Sequence, residues 1–378
     1  MGIERLEIKG FRSLRDVVWE PGRLNVLIGP NASGKSNLLD ACFLLQDAVR
    51  GNLDQGIVRR GGITPLLWDQ RERSLSWHVT IGNPDRAILE YGLGLERLGP
   101  TGEFRVQHER LHTGGATYLR RTPSGAEIFS IDHRDIKWEE PLHQNQTLLS
   151  MISNPLVSPV ALSFEKQIES WSVYYDLSVD EVRQASVARI EKRIVVPDGR
   201  NLTAVLHTLY TGNREFRRVV DAAMHAAFGE DYDELLFPPA ADQRVQLRLR
   251  WSSLSSEQSA ADLSDGTLRF LILIAILADP DPGALIAIDE PETGLHPRMF
   301  SILAELAQDA AERTQVVFTT HSPQFLDAFT GEPPTTTVTE RVDGETRLKN
   351  VDGEELRRWL REYSLGSLFS AGDLEALA

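Results

Sequence analysis

Gly29-Pro30-Asn31-Ala32-Ser33-Gly34-Lys35-Ser36 is the stretch on which the reading of this chain turns. Leu24-Asn25-Val26-Leu27-Ile28 before it has the length and apolar content of a buried strand. Asn37-Leu38-Leu39-Asp40-Ala41-Cys42-Phe43-Leu44-Leu45 after it carries an apolar helical face. Strand, glycine-bounded loop and helix in this order aim backbone N–H groups at one point, at a helix N-terminus, where they cradle phosphate oxygens. The loop residues Gly29, Pro30, Asn31, Ala32, Ser33, Gly34, Lys35 and Ser36, with Asn37 opening the helix, are expected to bind a nucleoside triphosphate. Lys35 is placed to reach the β and γ phosphates and Ser36 to ligate Mg²⁺.

The acidic partner of such a loop comes 250 residues later in Leu285-Ile286-Ala287-Ile288-Asp289-Glu290. An apolar strand ending in two carboxylates puts them at the carboxyl edge of a sheet, beside the nucleotide. Asp289 is suited to share the metal with Ser36, and Glu290 to polarise the attacking water. Thr319-Thr320-His321-Ser322 ends the next apolar strand, and His321 there is suited to sense the γ-phosphate. Between the two halves, Leu263-Ser264-Asp265-Gly266-Thr267-Leu268-Arg269 opens a helix. Ser264, Asp265 and Gly266 form either a plain helix cap or a second anion-binding cap.

The bulk properties bound the rest. The 378 residues suffice for one large domain or two to three small ones, and 41% hydrophobic with 25% charged residues is a globular composition. The single cysteine, Cys42, leaves no internal disulfide, suits a reducing cytoplasm, and is read as packing. Charges in Met1-Gly2-Ile3-Glu4-Arg5 and the shortness of the apolar run Phe270–Ala278 argue against a leader or a membrane span, so a cytoplasmic protein is expected. A net charge of −15 argues against a nucleic-acid coat. One local basic cluster remains: Arg183, Arg189, Lys192, Arg193, Arg200, Arg214, Arg217 and Arg218. It reads as a solvated face or as a contact for nucleic acid or an effector protein.

Three segments are expected. Residues 1–145 hold the phosphate loop and short alternating runs such as Ser76–Ile81 and Ala87–Leu93, read as an antiparallel β subdomain. Leu6–Phe11 is expected as an edge or half-buried strand. Residues 146–240 read as a mainly helical insertion, with caps at Ser178–Glu181 and helical spacing over Thr203–Tyr210 and Glu215–Phe228. Heptads are not sustained there, so no long coiled-coil arm is expected. Residues 241–378 return to strand–helix–strand alternation, with strands over Val245–Trp251, Ala284–Ile288 and Gln315–Thr320, and end in a short acid-rich tail after Thr330. The expected fold is α/β, with a mixed central sheet.

Taken together, these residues resemble an ABC-type ATPase head, a P-loop NTPase. Gly29–Ser36 resembles Walker A, Leu285–Glu290 Walker B, His321 the switch histidine and Leu263–Arg269 the ABC signature. Ile8-Lys9-Gly10-Phe11-Arg12-Ser13-Leu14 and the run Asp289-Glu290-Pro291-Glu292-Thr293-Gly294-Leu295-His296-Pro297 resemble the RecF/SMC-like branch. They are most similar to stand-alone bacterial AAA-family ATPases and the ATPase domain of OLD proteins. Tyr363–Phe369 is similar to the ending of the stand-alone members, with no nuclease module expected after Thr330. The resemblance implies ATP and Mg²⁺ as ligands, and a homodimer in which Ser264, Asp265 and Gly266 of one subunit cap the ATP held by the other. It implies hydrolysis that releases the dimer, in a switch or clamp serving DNA maintenance or anti-phage defence. Asp265 stands where transporter signatures have a glycine, and His296 where transporters have an aspartate. None of Gln70, Gln144 and Gln146 has a context that singles it out as the Q-loop residue. Two other functions stay open: a transporter motor with a membrane partner, and an ATP-sensing scaffold with little hydrolysis.

Overall fold

The computed structural model describes residues 2–83, 86–99, 102–129, 135–138, 141–152, 158–175, 177–188, 194–329 and 333–377. At its centre lies a six-stranded sheet in the order Ser172–Tyr174, Leu285–Asp289, Gln315–Thr320, Leu24–Ile28, Thr335–Val342, Glu345–Asn350. The first five strands are parallel, and the last is antiparallel to its neighbour. Register aligns Asp289 with Thr319, and Thr320 with Ile28. The phosphate loop, the acid pair and His321 therefore leave the sheet at one edge, the carboxyl edge where parallel sheets hold ligands.

The three inner strands Leu24–Ile28, Leu285–Asp289 and Gln315–Thr320 carry apolar residues on both faces because both faces are covered. Val26, Ile28, Ile286, Ile288, Val316 and Phe318 pack with the helices Leu202–Gly212, Arg214–Phe228, Asp265–Leu277 and Arg298–Ala311. Leu27, Leu285, Ala287 and Val317 pack with the helices Lys35–Val49 and Pro159–Glu169 and with a second sheet. The second sheet has eight strands, in the order 14–19, 2–11, 74–83, 86–98, 103–113, 116–122, 125–129, 135–137. Every pairing in it is antiparallel. Its inward face contributes Leu6, Ile8, Trp77, Val79, Tyr91 and Leu93, all buried. The fold is thus an ABC-ATPase head in layout: mixed central sheet, antiparallel sheet against one face, helices against the other.

Several segments differ from the sequence reading. The first strand, Gly2–Phe11, is half-buried, one of the two forms expected, with Leu6 and Ile8 inward and Lys9 outward, but it is not an edge: it is paired on both sides. Ser172–Tyr174, inside the stretch read as helical, joins the central sheet beside Leu285–Asp289; three residues are too few to show a period. Ser178–Glu181 caps no helix, and only the single 3-10 turn Glu181–Arg183 follows. Val245–Trp251 is broken into Arg244–Val245 and Arg248–Trp251, which join different small sheets. The stretch after Thr330, read as a tail, contributes two strands of the central sheet. The longest described helices, Lys35–Val49 and Arg214–Phe228, have 15 residues each, and no described helix is long and apolar enough to cross a membrane.

Candidate nucleotide site

The phosphate loop is shaped by left-handed backbone at Gly29 (φ 147°), Ala32 (φ 63°) and Gly34 (φ 112°). A side chain at Gly29 would collide with Thr339, and one at Gly34 with Thr346, so both glycines are required by their neighbours as well as by their φ. The two threonines come from the last two strands of the central sheet and hold the loop from behind. Thr339 Oγ1 lies 2.6 Å from Ser33 Oγ and donates to the Ile28 carbonyl at 2.8 Å. Thr346 Oγ1 donates to the Ser33 carbonyl at 2.7 Å and meets Ser13 Oγ at 2.7 Å. Ser13 in turn accepts from Asn37 Nδ2 at 2.7 Å. Arg12, also in a left-handed turn, pairs with Asp40 at 2.8 Å and so ties the first hairpin to the helix after the loop. Of these partners, only Arg12 and Ser13 had a sequence signal, in the Gly-Phe-Arg-Ser turn before the loop.

Lys35 is 5% exposed, and its Nζ donates to the carbonyls of Gly29 (2.7 Å) and Pro30 (3.0 Å). Burial lowers its pKa; Glu290, Asp289 and Glu292 act in the opposite direction. Ser36 Oγ donates to Asp289 Oδ2 at 2.9 Å, and Asp289 Oδ1 accepts from Thr319 Oγ1. Hydroxyl and carboxylate oxygens are the donors Mg²⁺ takes. No cluster of three or more His, Cys, Asp or Glu with metal-binding geometry occurs among the described residues.

Glu290 has a left-handed backbone (φ 46°), unusual for a side chain of its size, and it is fixed there. Its N–H donates to the carbonyl and hydroxyl of Thr319 at 3.1 and 3.2 Å. Its Oε1 accepts from His321 Nδ1 at 2.9 Å. Glu290 thus lines the cavity that also holds Lys35 and Ser36. Glu292 is buried behind it, bound by Thr320 Oγ1, and burial raises its pKa. The cavity, about 850 Å³, is also bordered by Arg12, Trp68, Gln70, Arg341 and Asp343. Gln144 lines a different cavity, and the Gln146 carbonyl accepts from Arg121. Of the three glutamines, Gln70 is the one at this site.

Ser264, Asp265 and Gly266 do not line this cavity. Ser264 caps the helix Asp265–Leu277, accepting from Thr267 N at 3.2 Å and lying 2.8 Å from Thr267 Oγ1. Ser264 and Asp265 are exposed. A Cβ on Gly266 would stand 2.8 Å from the Gly294 carbonyl, so the cap is pressed against the segment that follows Glu290. The basic cluster is largely neutralised where it is described. Arg183 pairs with Asp265, Arg200 with Asp198, Arg217 with Asp221 and Glu234, and Arg218 with Glu215. Arg189, Lys192 and Arg193 lie outside the described residues.

Comparison with known proteins places this geometry. A family model described as "AAA domain, putative AbiEii toxin, Type IV TA system" matches residues 24–327. An OLD nuclease of Thermus scotoductus is 25% identical over 401 residues, covering 99% of this chain and 70% of the relative. A DNA replication and repair protein RecF of Halalkalibacterium halodurans is 23% identical, covering 63% of this chain and 73% of the relative. Among solved structures, an SMC head bound to the C-winged helix domain of ScpA superposes with a TM-score of 0.61 at 15% identity, covering 95% of this chain and all of the other. An SMC head with an extended coiled coil, bound to the C-terminal domain of ScpA from Pyrococcus furiosus, gives 0.58 at 14% identity, covering 96% and 99%. At such identity the likeness to SMC heads is one of fold.

Proposed function

The chain belongs to that AAA-domain family, an ABC-type ATPase of the RecF/SMC/OLD kind, and on this footing we propose that it binds Mg-ATP, closes head-to-tail around two nucleotides, and hydrolyses them to ADP and phosphate. In this reading the loop Gly29–Ser36 with Asn37 holds the triphosphate, and Lys35 stabilises the β and γ oxygens. Ser36 and Asp289 would hold Mg²⁺, which would supply positive charge against the phosphates. Glu290 accepts the proton of the attacking water, and His321 orients Glu290 and contacts the γ-phosphate. Ser264 and Gly266 cap the nucleotide held by the other subunit. The output is a two-state closure that switches a partner in DNA maintenance or defence.

One observation carries the reading. Glu290 lies with Lys35 and Ser36 around a single cavity, while Ser264, the remaining phosphate-seeking cap, is exposed and outside it. A contact for nucleic acid or an effector near Arg183–Arg218 has less support, because four of the described arginines there already face acids. The test is Glu290→Gln. Steady-state phosphate release is expected to fall by about 10²–10⁴-fold, the range for losing a general base. Light scattering with Mg-ATP is expected to show the variant held as a dimer. A variant that stays monomeric with ATP contradicts the closure.

A further inference from the structure

The signature loop of this chain carries a carboxylate beside the serine that is to meet a phosphate. Asp265 is the first residue of the helix that Ser264 caps, and its side chain is 80% exposed. A negative charge there favours the helix dipole but opposes an incoming anion. Arg183, from the 3-10 turn Glu181–Arg183 some eighty residues earlier, answers that charge. Its Nη1 donates to the carbonyls of Ala260 (3.2 Å), Ala261 (3.0 Å) and Leu263 (2.7 Å), and its Nη2 to Asp265 Oδ1. Three of these partners sit in the turn leading into Ser264. The planar guanidinium is therefore fixed by the backbone of the cap it serves, a use of the fork that a lysine cannot copy.

The Asp265 end of the pair lies open to water and adds little to fold stability, while the arginine end, 24% exposed, holds the turn that leads into Ser264. We propose that Arg183 is a positioning residue of the signature loop: it neutralises Asp265 and locks the turn before Ser264, so that the cap can receive the γ-phosphate of an ATP held by a second copy of this chain. The inference rests on the head-to-tail reading. It gives Asp265 the role of counter-ion to Arg183 rather than phosphate ligand, in place of the glycine of transporter signatures.

The experiment uses full-length protein carrying Glu290→Gln, with Mg-ATP, and reads the dimer dissociation constant by sedimentation. Arg183→Ala is expected to raise that constant about tenfold, because it leaves the Asp265 carboxylate facing a phosphate. Adding Asp265→Gly to Arg183→Ala is expected to recover most of that loss but not all of it, because the turn before Ser264 stays unlocked; a purely structural role for Arg183 produces no such rescue. Asp265→Gly alone, a change at an exposed position, is expected to leave the dimer at least as tight as the parent. Binding of a fluorescent ATP analogue at concentrations below dimerisation follows the phosphate loop and is expected to be the same in all four proteins. The inference is overturned by a dimer in Arg183→Ala as tight as the parent, by a double variant as weak as Arg183→Ala, or by a weakened Asp265→Gly dimer. A parent that fails to dimerise at all overturns the head-to-tail reading, and this inference with it.

Discussion

The phosphate loop and the signature loop are both helix N-termini carrying a hydroxyl, and they are finished to different degrees. Around the phosphate loop, Ser33, Lys35, Ser36 and Asn37 are bound by Thr339, Thr346, Gly29, Asp289 and Ser13, and Ser33 and Lys35 are buried. At the signature loop, Ser264 bonds to Thr267, three residues on in the same helix, and stays exposed, with Arg183 bracing the turn before it. The first is a loop braced from behind and open to one cavity. The second has a rigid backbone and an open face, the form expected of a half-site that another molecule completes. Pre-organisation of this kind lowers the ordering cost of association.

The sharpest way to separate the two loops is to damage each. Lys35→Ala removes the buried ammonium proposed to meet phosphate; about 2–5 kcal/mol is lost when one partner of a buried charged pair is truncated. Nucleotide binding by the monomer is expected to weaken by about thirtyfold or more, read by fluorescence titration. Ser264→Arg is expected to spare that titration and to abolish ATP-dependent dimerisation and most phosphate release. If Ser264→Arg harms monomer binding as Lys35→Ala does, the loops are not separate and the comparison breaks.

A smaller effect is expected from the brace behind the phosphate loop. Thr346→Val keeps the volume of a side chain that is 3% exposed but removes its hydrogen bonds to Ser33 O and Ser13 Oγ. The loss is about 1–2 kcal/mol, shared between the fold and the loop. Calorimetry should show a lower Tm, and nucleotide binding should weaken by about tenfold at most. Unchanged binding would mean that the hairpin braces the fold and not the loop.

The smallest effect on nucleotide binding is expected at the far edge of the sheet. Burial pushes Asp279 from the ordinary 3.8 up to about 6. The folded protein therefore holds this proton more tightly than the unfolded chain does. That contribution to stability is present at low pH and is lost as pH rises from about 4 to about 6. Asp279→Asn keeps an acceptor for Asp281 N, 2.9 Å away, and carries no charge. It is expected to be more stable than the parent above pH 6, by about 1–3 kcal/mol, and equal to it below pH 4, with nucleotide affinity unchanged. Urea titrations at pH 4 and pH 7.5 check the sign.

What the sequence disclosed follows the same division. Gly29–Ser36, Asp289-Glu290 and His321 are contiguous motifs in which the chemistry is carried by neighbours in the chain, and the parallel strands beneath them are plainly apolar. Thr339 and Thr346 were not legible, because each acts on a loop more than 300 residues away. Moreover, Thr335-Thr336-Thr337-Val338-Thr339 looks polar until the sheet buries Thr336, Thr337 and Thr339. In the sequence Arg183 is one of a run of bases; its value lies in the carbonyls it reaches, which composition does not report. Ser172–Tyr174 was hidden by brevity, and only its pairing with Ile286–Ile288 makes it a strand.

The central claim is that Ser264 of one subunit and Lys35 of another meet on one triphosphate. A crystal structure of the Glu290→Gln protein with Mg-ATP tests it most directly. The account expects Ser264 Oγ within about 3 Å, hydrogen-bond distance, of a γ-phosphate oxygen whose nucleotide is held by the second subunit's Lys35. A structure with ATP on Lys35 and every Ser264 turned to solvent would contradict it.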